Sequence, residues 1–342
     1  MIGATGTVGQ RLVRRLHDHP WFELTVLAAS SRSAGKAYGD AAHWLLPTPM
    51  PDDAAGMTVV GLDEVDGCDV VFSALGSAVA GEVEPRLARR GFTVVSNASA
   101  LRMAPDVPLL IPEVNPDHLE LLDEQSFAPG AVVTNPNCAT VGLVLSLKPL
   151  TDAFGIGAVQ ITTLQAISGA GHPGVPSLDI LGNALPLIPD EEDKLESEPQ
   201  KILGRVSDGS VTPSDFDVSS QANRVPVLDG HLLSVSVKLR RPAAVDDAAA
   251  AIEAFRSPVA GLCLPSSPDR PVVLTADGAR PQPRLDAGRD RGMTVTVGRL
   301  RACPILDLRY VALVHNTERG AAGAAVLNAE LLAATGRLER TA

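Results

Sequence analysis

The chain is organised around the stretch Ala131-Val132-Val133-Thr134-Asn135-Pro136-Asn137-Cys138-Ala139-Thr140, in which a β-type run ends and an apolar run with helical spacing begins. This pattern predicts that Cys138 lies at or near a helix N-terminus. Free amide groups and the positive end of the helix dipole lower the pKa of a thiol at that position, and they also bind an oxyanion. Polar Asn and Thr neighbours, and a candidate base far downstream at His231, favour a nucleophilic cysteine over an inert buried one.

The composition is that of a soluble globular protein. The 342 residues are enough for two domains, and 45% of them are hydrophobic while 20% are charged. A formal net charge of -11 disfavours a general nucleic-acid binder, which needs a basic surface. No run approaches the roughly 18 apolar residues of a membrane span, and no signal peptide is evident, so we expect a cytoplasmic protein without membrane partners. The four cysteines are scattered, which predicts neither a disulfide framework nor a metal site.

The N-terminus carries a glycine-rich turn. The sequence Gly3-Ala4-Thr5-Gly6-Thr7-Val8-Gly9 leads into an amphipathic helical run, and the β-type run 23–29 follows at the spacing of a βαβ unit. Glycines in such a turn let the backbone approach a pyrophosphate at the helix N-terminus, which predicts a dinucleotide site. At most two residues of the first strand precede Gly3. Either the start site is truncated or the sheet lacks most of a central strand.

The residues after the second strand indicate which dinucleotide is bound. Where an acidic residue would hold the ribose 2′-hydroxyl of NAD, the sequence has Ser30-Ser31-Arg32-Ser33, followed by Lys36. Hydroxyls and a guanidinium suit a 2′-phosphate. We therefore expect NADP.

Further β-type runs predict a doubly wound α/β domain. The runs 69–77 and 92–97 each end in small residues, and 109–116 is predicted to be a short strand and turn. Ligands bind at the carboxyl edge of such sheets, where Arg102 is a candidate anion ligand. The first 137 residues are thus predicted to form a Rossmann-type parallel sheet with helices alternating between the strands.

The second half has a different pattern. Long runs at 158–167, 232–239, 294–300 and 306–314 alternate with few helices between them, which predicts an α+β domain with a mostly antiparallel sheet covered on one side. A broad sheet of this kind needs a cover, so a homodimer or a dimer of dimers is expected. The acidic stretch 190–198 is predicted to be a solvated face, and 320–332 a C-terminal helix.

A second candidate motif contains an arginine and a histidine. In Asn223-Arg224-Val225-Pro226-Val227-Leu228-Asp229-Gly230-His231 the two residues lie seven positions apart, just before a strand. A thiolate nucleophile, an imidazole acid/base and NADP together fit the chemistry of phosphorylating aldehyde dehydrogenases.

Nearly the whole chain resembles the aspartate-β-semialdehyde dehydrogenases, in the branch typical of archaea and fungi. The resemblance rests on the cysteine and histidine motifs above, on the glycine-rich turn, and on three further segments, namely 165–171, 198–203 and 316–323. The order and separation of the cysteine and histidine motifs are specific. The resemblance implies an NADP-binding domain formed by 1–137 and 315–342, and a catalytic and dimerisation domain formed by 138–314.

The resemblance also implies roles for individual residues. The catalytic residues are the nucleophile Cys138, the acid/base His231, and Gln165, which positions the thioester. Around the substrate we expect Arg224 as the carboxylate clamp, Arg102 and Lys201 as phosphate ligands, Glu198 contacting the amine or ordering the site, and Asn137, Ser168 and Gly169. Around NADP we expect Gly3, Thr5, Gly6, Thr7, Val8, Ser30, Ser31, Arg32, Ser33, Ser73, Ala74, Leu75, Gly76, Gly171 and Asn316.

The implied reaction is the NADPH-dependent conversion of L-β-aspartyl phosphate to L-aspartate-β-semialdehyde, in the biosynthesis of lysine, threonine, methionine and isoleucine. Malonyl-CoA reductase, of the same branch, is an alternative that needs no amine contact. N-acetyl-glutamyl-phosphate reductase shares the chemistry, although its motifs fit less well. A different class of protein, an inactive structural partner in an oligomer, would follow if the shortened first strand abolished cofactor binding.

Overall fold

The N-terminal β-runs form a parallel sheet in two pieces. In the computed structural model, which describes residues 1–338, β1 (Leu27–Ala29) pairs with β2 (Val59–Gly61). The second piece contains β3 (Val70–Ser73), β4 (Thr93–Ser96) and β5 (Ala131–Thr134), again all parallel. These short apolar strands are buried along most of their length, as expected for a sheet covered on both faces.

A single residue joins the two pieces of this sheet. Ile2 forms parallel bridges with Ala28 of β1 and with Ser73 of β3. The first strand is therefore reduced to one paired residue, in agreement with the sequence prediction. Beside it lies a cavity of about 490 Å³, lined in part by residues 21–26 and 67–70.

Helices pack on both faces of the parallel sheet. They are α1 (Thr7–Leu16), α2 (Tyr38–Ala41), α3 (Asp52–Ala55), α4 (Ser77–Arg89) and α10 (Gly323–Ala334), with 3₁₀ helices at Leu62–Glu64 and Pro116–Asp123. Leu12, Val13 and Leu16 form the buried stripe of α1. The C-terminal helix α10 is buried from Gly323 to Leu332 and packs into the same apolar core as α1. A π-turn, Glu318–Ala322, precedes it.

One predicted strand of this half is not formed. Within 109–116 only Leu109 pairs with the sheet, through a parallel bridge to Thr134. The backbone turns immediately afterwards, since the amide of Val114 donates to the carbonyl of Ile111. The connection to β5 then runs through a 3₁₀ helix, so helices do not alternate with every strand as predicted.

The second half forms a mixed sheet that is mostly antiparallel. Its strands are β6 (Ile156–Gln165), β9 (Asp217–Arg224), β10 (His231–Leu239), β11 (Val272–Thr275), β12 (Val295–Ala302) and β13 (Leu308–Val314). In the described part of the chain the order is β11-β12-β13-β10-β6-β9, with antiparallel central pairs and a parallel pair at each edge. A small hairpin, β7 (Arg205–Ser207) and β8 (Ser210–Thr212), lies outside it.

Helices cover one face of this sheet. They are α5 (Cys138–Phe154), α7 (Glu191–Ile202) and α8 (Val245–Ala254), and their apolar residues share one core with the inward side chains of the strands. The opposite face is open, as Gln160, Thr162 and Leu164 of β6 show by their exposure. The remaining helical turns are α6 (Ser177–Ile180), α9 (Pro283–Asp286) and the 3₁₀ turns Ile167–Ala170, Ala260–Leu262 and Arg289–Gly292.

The acidic stretch is only partly a solvated face. Asp193 and Glu196 of α7 are exposed, as predicted, but Glu191 and Glu198 are buried. Two residues seven positions apart lie on the same side of a helix. That side of α7 faces the protein interior, so the prediction is wrong for Glu191 and Glu198. No helix within residues 1–338 has both the length and the apolar character needed to cross a bilayer.

Candidate active site

Three neighbouring strands of the mixed sheet bring predicted site residues into one row. Gln165, the last residue of β6, pairs with Arg224 of β9. On the other side of β6, Leu164 lies opposite Leu232, a register that places His231 beside Gln165. Arg224, Gln165 and His231 are all buried. The sheet therefore holds an arginine, an amide and an imidazole side by side.

Cys138 lies at the N-terminus of α5, as the sequence predicts. The Asn137 side chain caps this helix, because its Oδ1 accepts hydrogen bonds from the amides of Ala139 at 2.9 Å and Thr140 at 3.2 Å. The Cys138 Sγ is 3.2 Å from the Nε2 of His231. The cap and the sheet register thus bring together two residues that are 93 positions apart.

A backbone amide fixes the tautomer of His231. The Ala166 N–H donates to the Nδ1 of His231 at 3.0 Å, so the neutral ring carries its proton on Nε2. This N–H points at the Cys138 sulfur. In this tautomer the imidazole is a donor toward the site, and it cannot take the thiol proton on Nε2.

The position of Cys138 at a helix N-terminus does not by itself determine the pKa of its thiol. Burial and, to a smaller extent, the Glu191 carboxylate raise the pKa of Cys138 to about 12, against the opposing effects of Arg102, Arg224 and the amide of Ala139. The expectation of a lowered thiol pKa is therefore wrong, because desolvation of the thiolate outweighs the effect of the helix amides. Burial, with Arg224 and His315, lowers the pKa of His231 to about 3. Both members of the pair are neutral at pH 7.

Arg224 is held against a glycine. Its Nη1 donates to the carbonyl of Ala166 at 2.8 Å. A Cβ on Gly169 would lie 2.9 Å from that Nη1 and 3.3 Å from the Cε1 of His231. No other hydrogen bond of the guanidinium to a residue of 1–338 is seen, so its second terminal nitrogen is available to a carboxylate.

Asn316 connects the loop after β6, which contains Ser168, to Gly230, the residue before β10 and His231. Its Nδ2 donates to the Ser168 Oγ at 2.8 Å, and its Oδ1 accepts the amide of Gly230 at 2.8 Å. Gly171 follows in the same loop with φ of +69°. The next residue, His172, reaches the other half of the molecule, where its ring centroid lies 5.8 Å from that of His43.

Glu198 is fully engaged within the protein. Its Oε1 accepts the Arg102 Nη1 at 2.9 Å, and its Oε2 accepts the amide of Asn137 at 2.7 Å. The residue is 1% exposed. The Arg102 Nη2 also donates to the carbonyl of Asn97 at 2.8 Å. These contacts fix Arg102 and the residue immediately before the cysteine.

Lys201 donates all its protons to backbone carbonyls. Its Nζ lies 2.6 Å from the oxygen of Arg102, 2.6 Å from that of Ala104 and 2.8 Å from that of Val107. No proton is left for a phosphate in this conformation. The predicted phosphate contact stays a prediction, and the observed contacts instead hold the loop that carries Arg102.

Two features next to the cysteine were not found from the sequence. Glu191 is buried and accepts a hydrogen bond from the Asn137 Nδ2. The sequence could have indicated this, because Glu191 lies seven residues before Glu198 and therefore on the same side of a helix. Gly320 packs directly on Cys138, since a Cβ there would lie 2.5 Å from the cysteine Cβ.

A buried ion pair fixes the turn that contains Gly320. The guanidinium of Arg319 donates to both carboxylate oxygens of Glu113, at 2.8 and 2.6 Å, and neither side chain is more than 1% exposed. The sequence gives no signal for this pair, because its two residues lie 206 positions apart.

The glycine-rich turn has the tight geometry of a pyrophosphate site. Gly3 has φ of +74°, and a Cβ there would lie 2.6 Å from the Ala74 carbonyl. A Cβ on Gly9 would lie 2.3 Å from the Gly3 carbonyl. The turn Thr5–Val8 leads into α1, whose first amides have no partner within the helix. Ser73 ends β3, and Ala74, Leu75 and Gly76 follow it at the same edge of the sheet.

The loop after β1 suits a 2′-phosphate. Ser30, Ser31 and Arg32 are exposed and Ser33 is half-buried. Arg32 and Lys36 form no ion pair with any residue described, so both cations are free to meet a phosphate. These residues therefore fit NADP. No cluster of three or more His, Cys, Asp or Glu side chains within 1–338 is arranged to hold a metal ion.

Two known protein families match successive parts of the sequence. The family described as "Semialdehyde dehydrogenase, NAD binding domain" matches residues 1–122, and "Semialdehyde dehydrogenase, dimerisation domain" matches residues 147–319. Together they cover the glycine-rich turn, Gln165, Arg224 and His231.

Individual relatives match over almost the whole chain. Aspartate-semialdehyde dehydrogenase of Archaeoglobus fulgidus is 50% identical, covering 97% of this chain and 96% of its own. The enzyme of Schizosaccharomyces pombe is 45% identical, again covering 97% and 96%. The crystal structure of aspartate semialdehyde dehydrogenase with NADP from Candida albicans superimposes with a TM-score of 0.91 at 44% identity, covering 98% of each chain.

Proposed function

The chain belongs to the aspartate-semialdehyde dehydrogenase family, and from this premise we propose that it converts L-β-aspartyl phosphate to L-aspartate-β-semialdehyde with NADPH, in amino-acid biosynthesis. The observation that carries the proposal is the 3.2 Å contact between the Cys138 Sγ and the His231 Nε2, beside the buried guanidinium of Arg224. A nucleophile, a proton donor and a carboxylate clamp meet in one pocket.

In the proposed mechanism the Cys138 thiol passes its proton to an oxygen of the leaving phosphate, and the thiolate attacks the acyl carbon of the substrate. The first amides of α5 stabilise the oxyanion that forms, and phosphate leaves toward Arg102, giving a thioester on the sulfur. Arg224 holds the α-carboxylate through its free terminal nitrogen. Gln165 lies between Arg224 and His231 in the sheet, and we assign it the role of orienting the thioester carbonyl.

NADPH, when bound, supplies the hydride that reduces the thioester. The residues of this chain that hold it are the turn Gly3–Val8, the residues after β3, and the loop Ser30–Ser33. Gly171 and Asn316 are proposed to line the part of the site that would hold the nicotinamide ring. The Nε2–H of His231 donates a hydrogen bond to the oxyanion of the resulting thiohemiacetal. The oxyanion then re-forms the carbonyl as the C–S bond breaks, which releases the aldehyde and leaves Cys138 as a thiolate.

Lys201 acts through Arg102 in this proposal. Its three carbonyl contacts hold the loop 102–107, and this loop sets where the guanidinium meets the leaving phosphate. The lysine is thus proposed as a positioning residue. A contact of Lys201 with phosphate would require that at least one carbonyl bond be given up.

The two-domain division and the oligomer are further parts of the proposal. We assign residues 1–137 and 315–342 to the cofactor domain because α10 shares a core with α1, and 138–314 to the catalytic domain. Residues 339–342 of this division lie outside the described part of the chain. The open face of the mixed sheet is the surface on which we place a second copy, giving a homodimer or a dimer of dimers. A working thiol also suits the reducing cytoplasm.

The test is phosphate-dependent reduction of NADP⁺ with L-aspartate-β-semialdehyde, run beside oxidation of NADPH with malonyl-CoA. We expect turnover only in the first reaction. Cys138→Ser is expected to remove nearly all activity, whereas Cys263→Ser, at an exposed cysteine, is expected to leave it unchanged. Turnover with malonyl-CoA alone would reassign the substrate. Absence of NADP binding together with no turnover in either reaction would favour the inactive structural partner.

A further inference from the structure

One arginine connects helix α1 to the catalytic half of the molecule. Arg11 lies one turn after the first residue of α1, and its guanidinium bonds to two carboxylates that are distant in sequence. Its Nη1 donates to the Glu318 Oε1 at 3.1 Å, and its Nη2 donates to both oxygens of Asp229, at 3.3 and 3.4 Å. Within residues 1–338, no other side chain forms an ion pair with both of these acids.

The first carboxylate stands next to the catalytic histidine. Asp229 lies two positions before His231, with only Gly230 between them. In the described part of the chain, Arg11 is the one ion-pair partner of Asp229, and the Thr317 hydroxyl is a second, weaker contact at 3.5 Å. The position of Asp229, and with it the start of the strand that carries His231, therefore depends on Arg11.

The second carboxylate belongs to the turn that contacts the cysteine. Glu318 begins the π-turn in which Gly320 packs on Cys138. It has a further partner in the same helix, because the Nε of Arg15 donates to its Oε2 at 2.6 Å. Loss of Arg11 would leave Glu318 attached to α1 through Arg15.

The environment of Arg11 differs from that of a solvent-exposed ion pair. An exposed pair contributes little to stability and is screened by salt. The Arg11 side chain is only 15% exposed, and its Nε is buried without a hydrogen-bond partner among the residues described. Desolvation of the guanidinium offsets much of its attraction to the acids, so its main contribution is a fixed geometry, which the rigid fork of an arginine provides.

The inference rests on the proposed function, in which the first amides of α1 hold the pyrophosphate of NADP. Hydride transfer then requires a fixed distance between this helix and the catalytic pair of Cys138 and His231. We propose that Arg11 is a positioning residue that sets this distance, because it ties α1 to Asp229 and so to the start of β10. Asp229 crosses from the proposed catalytic domain to the proposed cofactor domain through this contact. Displacement of reacting groups by about 1 Å costs about 10²-fold in rate, so the loss of this contact should be seen in the hydride-transfer step.

The experiment compares the same substitution at two arginines of one helix. Arg11→Met removes both ion pairs and keeps the apolar stem, whereas Arg14→Met changes an exposed arginine and is the matched control. Single-turnover reduction of NADP⁺ is followed with enzyme in excess, L-aspartate-β-semialdehyde and phosphate. We expect the rate constant of Arg11→Met to fall roughly 10- to 100-fold, with little change in the Kd for NADP, because the glycine-rich turn is untouched.

The single-turnover rate constant distinguishes positioning from a merely structural role. A variant that is only less stable contains fewer active molecules, which lowers the amplitude of the reaction and leaves its rate constant unchanged. Arg11→Lys keeps a positive charge but cannot fork between two carboxylates, so it should recover part of the lost rate. Arg14→Met is expected to react like the unmodified enzyme.

A double-mutant cycle tests whether Arg11 acts through Asp229. Asp229→Asn keeps the size of the side chain and removes its charge, so a loss similar to that of Arg11→Met is expected. The double variant should lose little more than either single variant, because both substitutions remove the same contact. Losses that multiply would contradict action through this pair. Asp229→Asn also tests the proposal should Arg11→Met fail to fold.

A further measurement needs neither cofactor nor turnover. Amide hydrogen exchange, resolved by mass spectrometry of peptides, reports how firmly individual segments are held in the cofactor-free protein. Segment 228–231 is expected to lose protection in Arg11→Met, and segment 317–322, which Arg15 still holds, should lose less. Unchanged protection of 228–231 would refute the positioning role.

The outcomes separate this inference from the proposed function. An active enzyme in which Arg11→Met and Arg14→Met have the same single-turnover rate constant would overturn the inference alone. An unmodified protein that does not turn over L-aspartate-β-semialdehyde would overturn the proposed function and this inference with it.

Discussion

Replacing Gly320 by alanine is expected to damage the active site without any change in a reacting group. The added Cβ would lie 2.5 Å from the Cβ of Cys138, 2.8 Å from its Cα and 3.3 Å from its carbonyl oxygen. Carbon atoms in contact are separated by about 3.5 Å or more, so a gap of about 1 Å must open. The atoms met are backbone and Cβ, so no flexible side chain can move aside.

The size of the expected loss in kcat and in stability depends on where this gap opens, which is at the nucleophile. A misplacement of a nucleophile by about 1 Å costs about 10²-fold in rate, and overpacking costs about 1–3 kcal/mol of stability. We therefore expect kcat of Gly320→Ala to fall about 100-fold, together with a modest decrease in Tm. The distance between the Cys138 Sγ and the His231 Nε2 should lengthen in a crystal structure of the variant.

The assay is NADP⁺ reduction with L-aspartate-β-semialdehyde and phosphate, with thermal unfolding measured in parallel. Gly278→Ala is the matched control, because no atom lies within 4 Å of the added Cβ and its φ is not positive. A Gly320→Ala enzyme with kcat within about threefold of the unmodified protein would refute the reasoning, since a 1 Å displacement predicts a far larger loss.

Three further predictions concern the cofactor, a buried acid and a buried ion pair. Arg32→Ala should raise the KM for NADP roughly 10- to 100-fold with little change for NAD, and equal changes in both would contradict the 2′-phosphate contact. Burial raises the pKa of Glu84 above its usual 4.5. As the pH rises above that value the unfolded chain releases a proton that the native protein keeps, so stability falls. Glu84→Gln, whose amide oxygen can still accept the Ser96 hydroxyl, should remove this fall in urea titrations run at several pH values. Arg319→Met should cost about 3–5 kcal/mol in urea unfolding by leaving Glu113 unpaired, and simultaneous replacement of Glu113 by Leu should recover part of the loss.

The placement of the cysteine and the histidine could be predicted because local rules determine it. A β-run followed by an apolar run with helical spacing predicts that Cys138 lies at or near a helix N-terminus, and the structure has α5 begin there. The alternation of 232–239 predicts a strand, and β10 begins at His231. Helical periodicity could equally have shown that Glu191 and Glu198 share one side of α7, but a dense acidic stretch favoured a solvated face.

What could not be predicted depends on contacts distant in sequence. The three carbonyls that occupy Lys201 come from a loop about 100 positions earlier, and no local pattern indicates which donors a lysine will find. The thiol pKa depends on desolvation by the whole pocket, whereas the sequence reveals only the helix N-terminus. The missing strand at 109–116 was decided by a turn that starts at Ile111, two residues after the pairing of Leu109.

The division of the parallel sheet into two pieces also links cofactor binding to the stability of the N-terminal half. Ile2 is the one described residue that pairs with both pieces of that sheet. The loop proposed for the 2′-phosphate follows β1 on one piece, and the turn after β3 belongs to the other. A dinucleotide that contacts both the loop after β1 and the turn after β3 would connect the two pieces of the sheet. Cofactor binding should therefore make the unfolding of the N-terminal half more cooperative, because a ligand that binds only the native state stabilises it.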